Sequence, residues 1–142
     1  MIDQITVFLE NSEGRLAALC RTMADADINM LALSIADTTD YGVVRIICDN
    51  PDKAVTVLAE ADYRALATKV SAIGVPNIPG GLAKLLETLD ELDLNIEYGY
   101  CFSLHSDLAV DVLKIRGSEK ADEAARAIEA KGFKLLSQED LS

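Results

Sequence analysis

The strongest constraint on the fold of this chain is an internal repeat. Residues 11–30 align with residues 77–96 at a shift of 66 residues, and 8 of these 20 aligned positions are identical. A repeat of this kind indicates that the chain contains two copies of one small structural unit. We therefore expect two domains, residues 1–68 and residues 69–142, in place of a single domain of average size.

Strand-like and helix-like spacings of apolar residues follow one another in the same order within each copy. In the first copy, apolar residues alternate over residues 5–9 and then recur at i, i+3, i+4 and i+7 over residues 16–23, which predicts a strand and then a helix. Residues 31–35 and 43–48 alternate again and predict a β-hairpin, and Asn50-Pro51 predicts the start of a second helix. With a last strand, each copy reads β-α-β-β-α-β.

This order of elements predicts an α+β fold. A four-stranded antiparallel sheet with both helices on one face, the ferredoxin-like arrangement, connects these elements most simply. In the second copy, the first helix is expected to open at Pro79. Residues 64–75 carry the last strand of the first copy and the first strand of the second, with no Gly, Pro or Asn separating them. We therefore expect one strand to run through both domains, and the domains to pack as one rigid unit.

The charge and the cysteine content exclude several classes of function. The chain has 13 Lys+Arg and 24 Asp+Glu, a formal net charge of −11, so its surface repels phosphate backbones and anionic lipid headgroups. We therefore expect neither nucleic acid nor membrane as a partner. Three separate cysteines, no CxxC pair and a single histidine give no reason to expect a disulfide, a metal or a cofactor. The N-terminal segment lacks a basic start followed by an apolar stretch, which favours a cytoplasmic protein.

The loop between the first strand and the first helix has the form Asn-x-x-Gly-x-Leu in both copies. Its defining residues are Asn11, Gly14 and Leu16 in the first copy and Asn77, Gly80 and Leu82 in the second. Backbone N–H groups at a helix N-terminus, together with the helix dipole, favour an anion such as a carboxylate, and glycine lets a ligand approach the main chain. The alternative is structural: the asparagine caps the helix and the glycine makes a turn.

A second asparagine follows 18 residues after the first in each copy, at Asn29 and Asn95. A helix of ~13 residues separates its ends by ~20 Å, too far for both asparagines of one domain to hold one small molecule. If two domains packed side by side with antiparallel first helices, Asn29 would approach Asn77, and Asn95 would approach Asn11. Each pocket would then offer N–H groups to a carboxylate and amide oxygens to an ammonium group, as a free α-amino acid requires. The structural alternative is that Asn29 and Asn95 end the helix in the left-handed conformation.

These segments resemble the ACT domain. The resemblance is carried by LENSEGRL and DINM in the first copy and by VPNIPGGL and DLNI in the second, and it covers nearly the whole chain. It implies a stand-alone tandem ACT protein, whose βαββαβ domains pair side by side and bind small ligands, usually amino acids, at the interface between domains. The ligand contacts that the resemblance implies are Asn11, Gly14, Arg15, Leu16, Asn29, Asn77, Gly80, Gly81, Leu82 and Asn95.

The two loops differ at the positions next to the glycine. Pro79 precedes the glycine of the second copy, as is usual in the ACT family, whereas in the first copy Glu13 precedes it and Arg15 follows it. Glu13 would repel a ligand carboxylate, and Arg15 would attract one or pair with Glu13. We expect two non-equivalent sites, and we rank first the site that residues 77–82 form with Asn29.

The leading hypothesis for function is a non-catalytic regulator that binds a free amino acid. It would pass the signal to a metabolic enzyme or through its own oligomerisation. One alternative is a ligand-free adaptor whose sheet edges pair with another chain. An acylphosphatase-like hydrolase using Arg15 and an asparagine is a weaker alternative, because the sequence has no Cys/His, Ser/His/Asp or phosphate-cradle pattern and we assign no catalytic residue. Since the domains still have faces and edges to cover, we expect a homodimer.

Overall fold

A computed structural model describes residues 1–10, 12–37, 41–116 and 121–141 of the chain. The chain divides into two compact units, which we call the first unit (Asp3–Thr68) and the second unit (Lys69–Ser142 with Met1–Ile2). In chain order the elements are β1 (Ile2–Glu10), α1 (Arg15–Asp25), β2 (Met30–Asp37), β3 (Tyr41–Cys48), α2 (Pro51–Glu60), β4 (Arg64–Pro76), α3 (Gly81–Glu91), β5 (Ile96–His105), β6 (Leu108–Ile115), α4 (Ala121–Ala130), β7 (Lys134–Leu135) and a 3-10 helix (Glu139–Leu141).

The first unit is a four-stranded sheet with two helices packed on one face. Its strand order is β2-β3-β1-β4, and β3 pairs antiparallel with both β1 and β2. One hydrophobic core joins alternate residues of β1 and β3 to the apolar stripes of α1 and α2. Its buried members include Ile5, Val7, Leu9, Leu19, Met23, Val44, Ile46, Ala54 and Leu58. The predicted helix and strand periodicities therefore place their apolar residues in one core.

The second unit repeats this arrangement. Its strand order is β5-β6-β4-β7, with antiparallel pairs throughout, and β4 takes the place that β1 has in the first unit. Its core contains Ile73, Val75, Leu85, Leu89, Leu113, Ile128 and Phe133. The predicted ferredoxin-like α+β fold is thus confirmed. Its last strand is short, since β7 has two residues and the backbone N–H of Leu136 then donates to the carbonyl of Ala72.

One strand spans the boundary between the two units. Strand β4 has 13 residues, and its Thr68 hydroxyl lies 2.9 Å from that of Thr6 within the first unit. Within the second unit, residues 71–76 of the same strand pair with β6. This confirms the prediction of one strand running through both repeats, while rigid packing of the two units stays a prediction.

The two predicted helix starts had different outcomes. Asn50 caps α2 as predicted, with its Oδ1 accepting a hydrogen bond from the Lys53 N–H at 3.3 Å and Pro51 at the first helical position. The prediction that Pro79 opens α3 is wrong, because α3 begins at Gly81. Gly80, which lies between Pro79 and Gly81, has a left-handed backbone. Helical geometry therefore starts after Gly80, and Pro79 belongs to the loop.

Candidate ligand-binding site

The two loops that were predicted to bind ligand have the same backbone hydrogen bonds. In the second unit, the N–H of Ile78 donates to Pro76 at 2.9 Å, and the N–H of Gly81 donates to Ile78 at 3.1 Å. In the first unit, the N–H groups of Ser12 and Arg15 make the corresponding bonds at 2.9 and 3.4 Å. The internal repeat is therefore a repeat of local geometry as well as of sequence.

A glycine, and not an asparagine, caps each of these two helices. Gly14 and Gly80 are the N-cap residues of α1 and α3, with φ of 79° and 87°, and neither cap has a side-chain hydrogen bond. Asn77 instead holds the loop to the turn after β5, because its Nδ2 donates to Ser106 at 3.3 Å and its backbone N–H donates to Asp107 at 3.0 Å. The structural alternative of an asparagine cap is therefore wrong for α3.

Gly81 packs the start of α3 tightly against the end of β4. It is buried, and a Cβ atom at this position would collide with the carbonyl oxygen of Pro76 and lie 3.0 Å from Cγ1 of Val75. The N–H groups of the first helical turn have no partner within the helix, by the geometry of any α-helix. The Gly81 N–H is used within the loop, by its bond to Ile78, so the first-turn N–H groups left without a partner in the helix are those of Leu82 and Ala83, next to the glycine pair.

A cavity of about 330 Å³ opens beside this loop, within the second unit. Pro76 and residues 78–81 form one side of it, and Lys84, Lys131 and Phe133 line it as well, whereas Asn77 is not part of its lining. Lys131 also lies 3.8 Å from an exposed carboxylate of Glu91, a surface pair of the kind that contributes little to stability. Two ammonium groups and a helix N-terminus give this cavity the charge that favours a carboxylate.

The first unit has a cavity of about 340 Å³ at the corresponding position. Four charged residues, Glu10, Arg15, Asp62 and Arg64, line it beside aromatic rings. Arg15 stands where the repeat places Gly81 in the second unit. The two cavities therefore share a position in the fold but differ in chemistry, since one is lined by main chain and lysines and the other by arginines and carboxylates.

Asn29 and Asn95 lie just beyond the C-terminal ends of α1 and α3, and both are exposed. The left-handed residues at these helix ends are Asp27, with φ of 60°, and Asp93, with φ of 59°. The alternative that the asparagines end the helices in this conformation is therefore wrong, and a short Asp side chain, which tolerates it, does so instead. Asn29 is held by Asp49, whose Oδ1 accepts its N–H at 3.0 Å and whose N–H donates to its carbonyl at 3.1 Å.

Each unit brings together only part of the predicted site. The residues at the two helix N-termini are Gly14, Arg15 and Leu16 in α1, and Gly80, Gly81 and Leu82 in α3, with Asn77 in the loop before α3. Asn29 and Asn95 follow the opposite ends of these helices, as the predicted separation requires. Asn11 lies outside the described residues, and the pairing of Asn29 with residues 77–82 stays a prediction.

The side chains that complete the two cavities were not predicted from the sequence. They come from the turn before the last strand of each unit, where Tyr63 and Phe133 occupy equivalent places at a shift of 70 residues. That match was the available signal, because an aromatic residue recurs there in both copies. No comparable signal marks Lys84 or Lys131, since an exposed lysine on a helix or turn is the ordinary case.

A buried carboxylate lies away from both cavities, on β6. Asp111 is buried, and its Oδ1 accepts a hydrogen bond from the Cys101 Sγ at 2.5 Å across the β5–β6 pair. Cys101 is exposed as a residue, but partial desolvation of its thiol, followed by the hydrogen bond and the negative charge of Asp111, raises the pKa of that thiol from 9.0 to about 11. The thiol is therefore held in its protonated, unreactive form at neutral pH.

We expect iodoacetamide at pH 8 to alkylate Cys101 about 100-fold more slowly than a thiol of ordinary pKa, because the thiolate fraction falls tenfold for each pKa unit. Asp111→Asn should accelerate alkylation, since it removes the charge that opposes the thiolate. Because the pKa is raised by folding, this thiol stabilises the fold below about pH 9, and that contribution is lost as the pH rises toward about 11. Mass spectrometry of the modified peptide measures the rate, and equal rates in both proteins would contradict the assignment.

Neither a membrane-spanning helix nor a metal cluster is found among the described residues. No helix there is long and apolar enough to cross a membrane. No group of three or more His, Cys, Asp or Glu side chains in the same ranges could hold a metal ion.

The family model for the ACT domain pair matches residues 1–142, the full length given. Together with two βαββαβ units and their glycine-capped helices, this match assigns the chain to a family. The chain belongs to the ACT domain family, as a tandem domain pair.

Similar solved structures have the same architecture. Protein BT0572 from Bacteroides thetaiotaomicron is 36% identical, with a TM-score of 0.89 over 99% of this chain and 94% of that chain. The regulatory subunit of aspartate kinase from Thermus thermophilus is 18% identical, with a TM-score of 0.65 over 90% of this chain and 91% of that chain. At 18% identity the similarity shows the fold alone. No curated protein sequence matches the chain.

Proposed function

We propose that this ACT domain pair is a non-catalytic regulator that binds a free amino acid, with residues 77–82 as the main contact. One observation carries the proposal: Gly80 and Gly81 bring bare main chain to a helix N-terminus beside a cavity lined by Lys84 and Lys131. A ligand carboxylate would accept hydrogen bonds from the first-turn N–H groups and would be attracted by both ammonium groups.

The ligand ammonium group needs acceptors, and Asn77 has the one polar side chain of residues 77–82. Its Nδ2 is bonded to Ser106, so its amide oxygen is the acceptor that the side chain can offer. We propose that Asn29 of another ACT domain, in the same chain or in a second copy, completes the site. The lower-ranked site would use the first loop with Asn95.

The regulatory part of the proposal is supported by fold similarity to regulatory subunits of aspartate kinase. We extend it to residues 1–68 and residues 69–142 as the two ACT domains, to a homodimer, and to a metabolic enzyme as the regulated partner. A free amino acid has few atoms, so we expect a Kd in the micromolar to millimolar range, about −8 to −4 kcal/mol.

A ligand-free adaptor is the second candidate function, and one observation favours it. Ile78, Leu82 and Leu86, which follow one another at intervals of four residues, expose 65%, 43% and 39% of their surface. Ile78 lies in the loop before α3, and Leu82 and Leu86 share one face of the helix. Exposed apolar side chains grouped in this way are typical of a surface that contacts another protein. In this case the loop asparagine and glycines would serve structure alone.

Thermal unfolding of the full chain with each of the twenty amino acids at ~10 mM distinguishes the two functions. A ligand at 100 times its Kd adds ~2.7 kcal/mol to the free energy of unfolding, which raises the midpoint by several degrees. We expect a selective shift that is abolished by Asn77→Ala, because this variant removes the ammonium acceptor and the bond to Ser106.

The matched control is Asn95→Ala, which removes an exposed amide from the far end of the same helix. It should retain the shift, because Asn95 belongs to the lower-ranked site. If no amino acid shifts the midpoint, the amino-acid regulator is excluded and the adaptor is favoured. If Asn77→Ala retains the full shift, the ligand binds elsewhere in the chain.

A further inference from the structure

The cavity of the first unit contains an arginine that lacks a hydrogen-bond acceptor. Nε of Arg15 is buried and has no hydrogen-bond partner among the described residues. The guanidinium lies over the ring of Tyr63, with its central carbon 5.4 Å from the ring centroid. Stacking of this kind occupies the face of the guanidinium and leaves its in-plane N–H groups to bind an acceptor. A buried donor without an acceptor is rare, because leaving it unpaired costs free energy.

A second arginine lines the same cavity in the same manner. The central guanidinium carbon of Arg64 lies 5.7 Å from the ring centroid of Phe8. Two planar, permanently charged donors are thus supported on aromatic rings at the wall of one cavity. Arg15 and Arg64 are also two of only 13 basic residues in a chain of net charge −11. Their position in one cavity places two guanidinium groups there, beside the carboxylates of Glu10 and Asp62.

The two carboxylates that line the cavity do not form direct ion pairs with these arginines. Glu10 and Asp62 also line it, but within the described ranges neither forms an ion pair with Arg15 or Arg64. Helix α1 has no acidic residue in its first turn, whereas α2 and α4 both do. A cation at the first helical position is also unfavourable against the helix dipole. An anion between the helix N-terminus and the guanidinium would accept a hydrogen bond from the unpaired Arg15 Nε. It would also offset the unfavourable interaction of Arg15 with the helix dipole.

We propose that this cavity of the first unit binds a small oxyanion, the carboxylate or phosphate group of a metabolite, through Arg15 with Arg64 beside it. The guanidinium fork matches both groups, since each can accept two parallel N–H bonds. A volume of about 340 Å³ lies at the small end of ligand pockets, as a metabolite requires. The site is separate from the first-ranked amino-acid site at residues 77–82, because the equivalent position there is Gly81 and offers no guanidinium. It rests on the lower-ranked site of the proposed function, whose loop contains Arg15, and it names the chemical class of the ligand bound there.

Arginine side-chain NMR tests the proposal at the atom concerned. In a ¹H–¹⁵N spectrum of the full chain, the Arg15 Nε–Hε signal is assigned by its loss in Arg15→Lys. Titrations use sodium phosphate and sodium succinate separately, at pH 7 and constant ionic strength. We expect a saturable shift of this signal with at least one probe. Arg15→Lys keeps the positive charge but lacks the planar fork, so its affinity, followed by backbone amides of residues 8–10, should fall at least tenfold.

The matched control is Arg21→Lys, on the same helix. Arg21 is exposed and pairs with Asp25 at 3.8 Å, so this variant should bind as the wild type does. Saturation by phosphate alone identifies a phosphorylated ligand, and saturation by succinate alone identifies a carboxylate ligand. A shift that stays linear to high millimolar concentration with both probes overturns the proposal, as does an equal loss in Arg21→Lys. Neither result depends on whether an amino acid raises the unfolding midpoint, so the two proposals fail separately.

Discussion

Gly81→Ala should lower the free energy of unfolding by about 3 kcal/mol, at the upper end of the usual range for overpacking. The added Cβ would meet the carbonyl oxygen of Pro76, and backbone of a paired strand yields less readily than a flexible side chain. Without this collision, alanine inside a helix would be stabilising by up to ~1 kcal/mol. Urea denaturation measures the loss, and the thermal midpoint should fall by roughly 6–12 °C.

The neighbouring glycine provides the matched control. A Cβ at Gly80 would have no heavy atom within 4 Å, but its φ of 87° is unfavourable for alanine. Gly80→Ala should therefore cost about 1–2 kcal/mol, from backbone conformation alone. If Gly81→Ala and Gly80→Ala lowered the free energy of unfolding by the same amount, the result would contradict the collision with Pro76 as the reason for a glycine at position 81.

Leu85→Ala should lower the free energy of unfolding by about 3 kcal/mol, because it leaves a cavity in the core of the second unit. Leu85 is fully buried in the cluster that joins α3 to strands β4 and β6. Hydrogen exchange at the core amides of α3 and β4 should accelerate together with the fall in urea midpoint. These two measurements locate the loss in the second unit.

Leu86→Ala is the control for this prediction. Leu86 is the next residue on the same helix and exposes 39% of its surface. The two substitutions make the same change in helix propensity, so their difference reports burial. Leu86→Ala should cost less than about 1 kcal/mol. A loss as large as that of Leu85→Ala would mean that Leu86 is covered in solution, as a homodimer or adaptor interface would cover it.

Periodicity predicted most of the fold because it reports which side chains face a core. The repeat and the spacing of apolar residues identified two βαββαβ units and the strand common to both. Helix ends were predicted less well, since they depend on single backbone conformations. Helix α3 begins at Gly81, where the sequence predicted a start at Pro79. The left-handed residue at its C-terminal end is Asp93, where the structural alternative had Asn95. Each of these differences is two residues long.

The candidate site was predicted in part, for a similar reason. The loop glycines were identified because both their spacing and their residue type recur at a helix start. Lys131 and Arg64 could not be identified, because they reach the cavities only through the return of the chain after the second helix of each unit. The missing acceptor of Arg15 Nε is also a property of the folded surroundings and has no signal in the sequence.

The 13-residue strand β4 contributes side chains to the cores of both units. Ala65 packs against the first core, while Ile73 and Val75 lie in the second, and all three are separated by even numbers of residues. Side chains alternate along a strand, so one inserted residue between them would turn one of these sets away from its core. A flexible linker tolerates the insertion or deletion of single residues. Strand β4 keeps both sets of side chains facing their cores only when residues are inserted or deleted in pairs.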